Sequence, residues 1–304
     1  MKYLFTLVFA LLAGVATTTA QTVTITKTDG STVKYKASEI KSIQFANEGT
    51  PVPPAHNFTG YILVSSPFFF DTYYGEEAKM EVYTQDGKNY CKFNDKKWGT
   101  GTFEVKLEKD KISGSGTMNI VDPHKGGEAK PYKAMMSGSM TAINISVTGL
   151  MGGTTIKWRF GKASEDIKFS GTYLGDNSYS VMGMNFTAKN TGYCFWVNSD
   201  GTYSVQVLGQ KIAGTPMGDI TLGAYTIDKV SFDVKTRTFS KAYSDDNIKV
   251  KYQMGGGANK ETVLSEANIK GTFGTDGSLQ VENTFKFGVM PFPLTGIFNG
   301  KVQK

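Results

Sequence analysis

Short runs in which apolar and polar side chains alternate recur along almost the whole of this chain. Phe103, Val105 and Leu107 are separated by Glu104 and Lys106; Ile143, Ile145 and Val147 by Asn144 and Ser146; Ile156, Trp158 and Phe160 by Lys157 and Arg159. A period of two puts the apolar members of a run on one face of an extended strand, so each run must cover a core on one side and meet water on the other. The second half repeats the rule with Tyr203, Val205 and Val207, with Val230, Phe232 and Val234, and with Ile248, Val250 and Tyr252. Asn198-Ser199-Asp200-Gly201, Met254 to Asn259 and Thr275-Asp276-Gly277-Ser278 supply turn chemistry between runs. With 35 Gly, 20 Phe and 15 Tyr in 304 residues, the pattern calls for an all-β protein of antiparallel strands joined by tight turns.

Two echoes divide the chain. Phe58-Thr59-Gly60-Tyr61 and Phe169-Ser170-Gly171-Thr172-Tyr173 each open a series of alternating runs, and Phe160-Gly161-Lys162 and Phe298-Asn299-Gly300-Lys301 close them. The expected organisation is therefore a signal peptide at 1–20, a small β-hairpin element at 21–45, a proline-rich linker at 46–57, and β-barrels at 58–163 and 168–304. Lys2, the apolar stretch Leu4 to Ala16 and the small residues Thr17 to Ala20 carry the charge, hydrophobic core and exit of a secretory signal. At about 13 residues the apolar stretch is short of the roughly 20 that span a bilayer. Export to the periplasm, cell surface or medium follows, without a lipid anchor, because no Cys follows the signal. The alternating runs are also shorter than the strands of an outer-membrane barrel, so no membrane-spanning part is expected after signal cleavage. In the hairpin, Asp29-Gly30 provides the positive φ angles of a tight turn between Val23-Lys27 and Thr32-Tyr35.

The net charge of +6 is dispersed, as in Glu104-Val105-Lys106-Leu107-Glu108-Lys109, so it describes a solvated strand face rather than a nucleic-acid patch. Cys91 and Cys194 fall one in each module, beside aromatics, and read as two separate core thiols rather than one bridge.

Three stretches of the second module stand out together: Phe169 to Tyr173, Gly214-Thr215-Pro216-Met217-Gly218-Asp219-Ile220-Thr221-Leu222, and Leu294-Thr295-Gly296-Ile297-Phe298-Asn299-Gly300. On these residues the module resembles the calycin-like β-barrel domains of secreted Gram-negative bacterial proteins. The first module looks like a more distant relative that lacks the Pro-Met-Gly-Asp stretch. The resemblance implies two tandem, antiparallel, lipocalin-like barrels with an interior that is either open to a ligand or filled by side chains.

Catalytic constellations are sparse. His56 lies in the expected linker and His124 in a loop, with no Gly-x-Ser-x-Gly beside either and no zinc-ligand spacing among the two His and two Cys. Asp219 and Asp245-Asp246-Asn247 are the acids to inspect for paired-carboxylate chemistry, although the latter reads as a turn lacking the alternate ligands of a calcium loop. The glycine runs Gly152-Gly153 and Gly255 to Gly257 open no helix, so no phosphate cradle is expected, nor any cofactor or metal.

Aromatics carry the positive signal. Pro67 to Tyr74 places Phe68, Phe69, Phe70, Tyr73 and Tyr74 in an expected loop, where they either form an exposed patch for a glycan, lipid or protein, or fold over one barrel end. Trp158 and Trp196, on strands, point either into a core or toward a ligand. Two functions remain in view: an exported, non-enzymatic binding protein holding a small apolar or amphipathic ligand in or at the mouth of a barrel, and a surface or periplasmic module recognising polysaccharide or protein through 67–74.

Overall fold

The computed structural model describes residues 22–26, 30–36, 56–122, 126–288 and 290–304. The expected signal segment, most of the linker and His124 lie outside them. One unit, Met1–Pro51, contains β1 (Thr22–Thr26) and β2 (Thr32–Lys36), an antiparallel hairpin with Thr26 opposite Thr32. Gly30 takes a φ of 82° there, as the Asp-Gly turn requires.

The other unit, Val52–Lys304, holds two barrels. The first is built from β3 (His56–Ser66), β4 (Phe69–Gln85), β5 (Lys88–Asp95), β6 (Gly99–Glu108), β7 (Lys111–Asp122), β8 (Gly126–Ser139), β9 (Ala142–Val147) and β10 (Thr154–Phe160). Each strand pairs antiparallel with the next and β10 returns to β3, which closes the sheet on itself. His56, expected in the linker, is the first residue of β3 and lies opposite Val82. Closure at this strand number leaves an interior that side chains can fill, and here they do. Met80, Phe93, Phe103, Met118, Ile145 and Trp158 are fully buried in one cluster. The Trp158 indole N–H donates to the carbonyl of Ala78 at 3.1 Å, which satisfies its one polar atom inside the core. Glu104 and Lys106 alternate outward with inward Phe103 and Val105, the reverse of the sidedness of a barrel whose outer face meets lipid.

The second barrel has a ring of eight strands: β11 (Gly171–Val181), β12 (Met184–Val197), β13 (Tyr203–Val207), β16 (Tyr225–Asp233), β17 (Thr238–Ala242), β20 (Ser265–Phe273), β21 (Ser278–Lys286) and β22 (Leu294–Val302). The ring closes because β11 pairs with both β22 and β12. Four further strands, β14 (Gln210–Ala213), β15 (Ile220–Leu222), β18 (Lys249–Met254) and β19 (Lys260–Val263), form an extension that branches from β12. The alternation did not announce this branch. It arises because β12 is long enough to pair with β13 through Tyr193–Val197 and with β14 through Thr187 and Ala188.

Residues 67–74 correct a second expectation. They form no loop: after the turn at Pro67-Phe68, Phe69 already belongs to β4, and this part of β4 lies along the seam between the barrels. The Tyr73 amide donates to the carbonyl of Ser170 at 3.0 Å, and the Phe70 amide to Thr172 Oγ1 at 3.3 Å. Phe70 stacks on Trp196 with ring centroids 4.9 Å apart, while Lys168 pairs with Glu76 across the same seam at 3.5 Å.

The glycines of the two echoes are close-approach positions of unequal severity. A Cβ on Gly60 would stand 2.1 Å from the carbonyl oxygen of Arg159 and 2.7 Å from the Trp158 ring, whereas the nearest atoms to one on Gly171 would be side-chain methyl groups of Val302 and Thr72, at 3.0 and 3.4 Å. Backbone cannot yield as a methyl can. Gly60→Ala is therefore expected to destabilise the protein by about 3 kcal/mol or more, and Gly171→Ala by about 1 kcal/mol. Urea unfolding of both variants checks this order, and equal losses would refute the steric account.

Candidate functional site

Above the ring of the second barrel, at the end where β11 turns into β12, an apolar pocket of about 250 Å³ remains open. Three loop systems surround it. The β11–β12 hairpin contributes Val181, Met182, Met184 and Phe186; the β14–β15 hairpin contributes Ile212, Thr215, Pro216, Met217 and Ile220; and the β21–β22 connection contributes Met290, Pro291, Phe292 and Leu294, with Met254 from the end of β18. Five of these are methionines. Unbranched, polarisable thioethers adapt to ligand shapes that a fixed aliphatic wall would reject. Met182 is 69% exposed, Met217 52% and Phe292 46%, a concentration of apolar area at one rim.

The rim is braced within 214–222, one of the three stretches that carry the sequence resemblance. Asp219 accepts from the Gly214 amide at 3.0 Å and pairs with Lys211 at 2.8 Å; these bonds hold its carboxyl below the usual carboxylate range. Thr215 Oγ1 donates to the Gly218 carbonyl. Gly218 and Gly255 abut so closely that a Cβ on Gly218 would lie 2.7 Å from the Gly255 Cα. The Pro216-Met217 shelf is thus a fixed wall rather than a loose turn.

Below the pocket the barrel is filled, in two layers. The nearer is polar and wholly uncharged. Asn177 Nδ2 donates to the Tyr179 hydroxyl at 2.9 Å and lies 3.5 Å from Tyr193 Oη and 3.4 Å from Gln210 Oε1. Asn283 accepts from the Tyr243 hydroxyl at 2.7 Å and donates to the Tyr225 hydroxyl at 2.8 Å. Asn177 Oδ1 and Gln210 Nε2 have no hydrogen-bond partner; a buried polar group left so costs about 1–3 kcal/mol. The deeper layer is aromatic, with Phe169, Tyr173, Phe195, Phe232, Phe239 and Phe273 packed ring against ring.

The aromatics singled out in the sequence have other duties. Trp158 is buried in the first core, Tyr74 packs edge-on against Trp98 at 5.1 Å, and Phe69 packs on the same cluster. Phe70, Tyr73 and Trp196 belong to the seam; Phe68 stands 75% exposed at the turn. None of them lines the open pocket. Its methionines come from four separate places in the chain, and two of the stretches that carry the family resemblance, 214–222 and 294–300, supply lining residues to it. A larger concavity of about 410 Å³ on the outer face of the barrel includes Lys270 and Glu282. Those two are paired with each other at 3.0 Å, so their charges are already matched.

The acids singled out in the sequence stand in separate turns. Asp246 pairs with Lys241 in the turn Ser244–Asp246, and among the described residues no three His, Cys, Asp or Glu side chains gather to hold a metal. Cys91 and Cys194 are free and buried, one in each barrel. Burial pushes their thiols up to about 12 and about 11, away from thiolate chemistry.

Burial also raises Tyr179 and Tyr225 well above the ordinary phenol value and Tyr193 to about 12. An unfolded tyrosine ionises near pH 10. The folded state holds these protons more tightly, so the stability they confer is complete below about pH 10 and is lost as pH rises through about 12. In an alkaline titration, the ultraviolet signal of these tyrosinates should appear together with loss of the β-sheet circular dichroism signal. Ionisation near pH 10 in a still-folded protein would contradict the sealed polar layer.

The model of the calycin-like beta-barrel domain family matches residues 169–301. Among solved structures, a protein of Bacteroides fragilis provisionally named an outer membrane protein is similar at 22% identity over 81% of this chain and 97% of its own, with a TM-score of 0.47. No curated protein matches the chain.

Proposed function

Because residues 169–301 form a calycin-like β-barrel domain, we propose that the protein is an exported, non-enzymatic binding protein that holds a small apolar or amphipathic ligand at the mouth of its second barrel. The observation that carries this reading is the open, methionine-rich pocket: a braced concavity whose walls are apolar almost throughout. Folding proteins bury such surface unless something else covers it. At about 250 Å³ the pocket lies just under the usual range of ligand sites, about 300–1,000 Å³, and so suits a short chain or a single ring system. An alkyl chain of eight carbons would gain about 6 kcal/mol at about 0.8 kcal/mol per methylene. Less the cost of immobilisation, this gives binding no tighter than micromolar.

Export rests on the signal-like pattern of residues 1–20. Recognition of a glycan or protein through 67–74 draws less support, because most rings of that stretch are engaged in the first core and the seam.

Fluorescence of N-phenyl-1-naphthylamine should rise on addition of the protein. Met182→Glu and Met217→Glu, both at exposed rim positions, should each weaken dye binding at least tenfold with the melting temperature unchanged. Dye binding that ignores both substitutions, or no dye binding at all, would overturn the mouth as a ligand site.

A further inference from the structure

The side chains that rim the mouth of the second barrel are open to one kind of chemistry. We propose that Met182, Met184 and Met217 form an oxidation-sensitive rim: a hydroperoxide converts their thioethers to sulfoxides, the mouth turns polar, and its apolar ligand is released. This rests on the reading of the mouth as a ligand site and adds how its occupancy is controlled.

Exposure singles out these three. The chain has 12 methionines, and among the described residues four are exposed: Met135, Met182, Met184 and Met217. Three of the four line the pocket; the fourth lies on β8 of the first barrel. Met80, Met118 and Met136 are sealed in the first core, and Met254 and Met290, the other methionines of the pocket wall, are half-buried. Dissolved peroxide therefore reaches the rim before the methionines beneath it. Met135, 67% exposed against 69% for Met182, is a control built into the same chain, equally open to oxidant but away from the pocket.

Backbone geometry marks Met182 further. Val181 pairs with Met184, so Met182-Gly183 is a two-residue hairpin turn, with φ of 50° and 78° at its two positions. Asn-Gly is the favoured occupant of such a turn, because asparagine tolerates positive φ and is at home in water. Among the described non-glycine residues with positive φ, the other apolar one is Met151, which packs on the first core. Met182 has no such burial to offset its backbone, the pattern of a residue kept for what its side chain does.

The competing sulfur targets are shielded. Peroxide attacks a thiolate most readily, but Cys91 and Cys194 are buried and their thiols stay protonated at neutral pH. A thioether has no proton to lose and needs no such activation.

The step needs no co-reactant beyond the peroxide. A sulfur lone pair attacks one peroxide oxygen, the O–O bond breaks as the S–O bond forms, the sulfur gives up two electrons, and the other oxygen leaves as water, or as an alcohol where the peroxide carried a chain. The sulfoxide is a hydrogen-bond acceptor, and the pocket offers it no donor: Thr215 is the one polar side chain of the lining, and its hydroxyl already donates to the Gly218 carbonyl. An apolar ligand that covered the sulfoxide would strip its water and return no hydrogen bond.

Graded hydrogen peroxide on the folded protein, followed by peptide mass spectrometry and N-phenyl-1-naphthylamine titration, tests this. Oxygen should enter Met135, Met182, Met184 and Met217 before the other methionines, and dye affinity should fall by about tenfold or more as rim sulfoxide accumulates, with the melting temperature unchanged. Methionine sulfoxide reductases with dithiothreitol should restore it. A variant combining Met182→Leu, Met184→Leu and Met217→Leu should hold its own starting affinity through the same treatment, whereas Met135→Leu should lose affinity as the natural protein does. Unchanged dye affinity in natural protein whose rim carries sulfoxide would overturn the switch while leaving the mouth site standing, and so would an equal loss in the triple variant. Should that variant fail to fold or to bind, the natural protein decides alone: affinity that falls in step with rim sulfoxide supports the switch, and affinity that falls only with oxidation of Met135 or of the buried methionines overturns it. Absence of dye binding before any treatment overturns the mouth site and this inference together.

Discussion

Strand β12 is longer than the ring it closes, and the upper part of the second barrel follows from that mismatch. Its C-terminal half, Tyr193 to Val197, is held on one side by β11 and on the other by β13. Its N-terminal half keeps β11 but outruns β13, which leaves a row of backbone donors and acceptors that must be paired or wetted. β14 takes that edge at Thr187 and Ala188, β15 and β18 add to β14, and the resulting extension rises over one end of the barrel. The mouth is therefore walled rather than capped. A ring of equal strands would have ended in short turns with nothing to hold Met217 and Met254 opposite Met182.

The first barrel lacks such an overhang, and its interior shows the other solution to closure. Trp98, Trp158, Phe93 and Phe103 fill it, so the apolar faces find each other and the hydrophobic effect is satisfied within the ring. The second barrel fills its base in the same way with phenylalanines, but changes chemistry upward, from rings to amides and phenols to thioethers. A polar layer in the middle of a core is stabilising only if its bonds close. Here all but two atoms of the Asn-Tyr-Gln layer are paired.

Much of this architecture was legible from alternation, because β5, β6, β9 and β10 bury one face and wet the other, so period two survives in the sequence. Residues 69–74 were misread for a physical reason. That part of β4 is covered on one side by the first core, through Phe69 and Tyr74, and on the other by the second barrel, through Phe70 on Trp196. Aromatic rings engaged on both faces erase the alternation that marks a one-sided strand, and the neighbouring Pro67 made the stretch look like a loop. The mouth was less legible still. Its methionines at 182, 184, 217, 254 and 290 are brought together by pairings between strands far apart in sequence, and isolated methionines carry no periodic signal.

The seam explains why the two echoes are similar but not equivalent. Gly60 admits the Trp158 ring and so belongs to the interior of its own barrel, whereas Gly171 faces Thr72 of the other barrel. Beside it, Thr172 Oγ1 accepts from the Phe70 amide and lies 3.4 Å from the Cys194 thiol. The second opening strand thus ties its barrel to β4 at the base, the end away from the pocket, where Phe169, Tyr173 and Phe273 stack. The base is anchored by backbone bonds and stacked rings, and the loops around the pocket lie at the opposite end of the second barrel from that joint. A change in the pocket-end loops of the second barrel would therefore leave the joint intact, and the first barrel, filled by its own side chains, is the surface against which that joint is made.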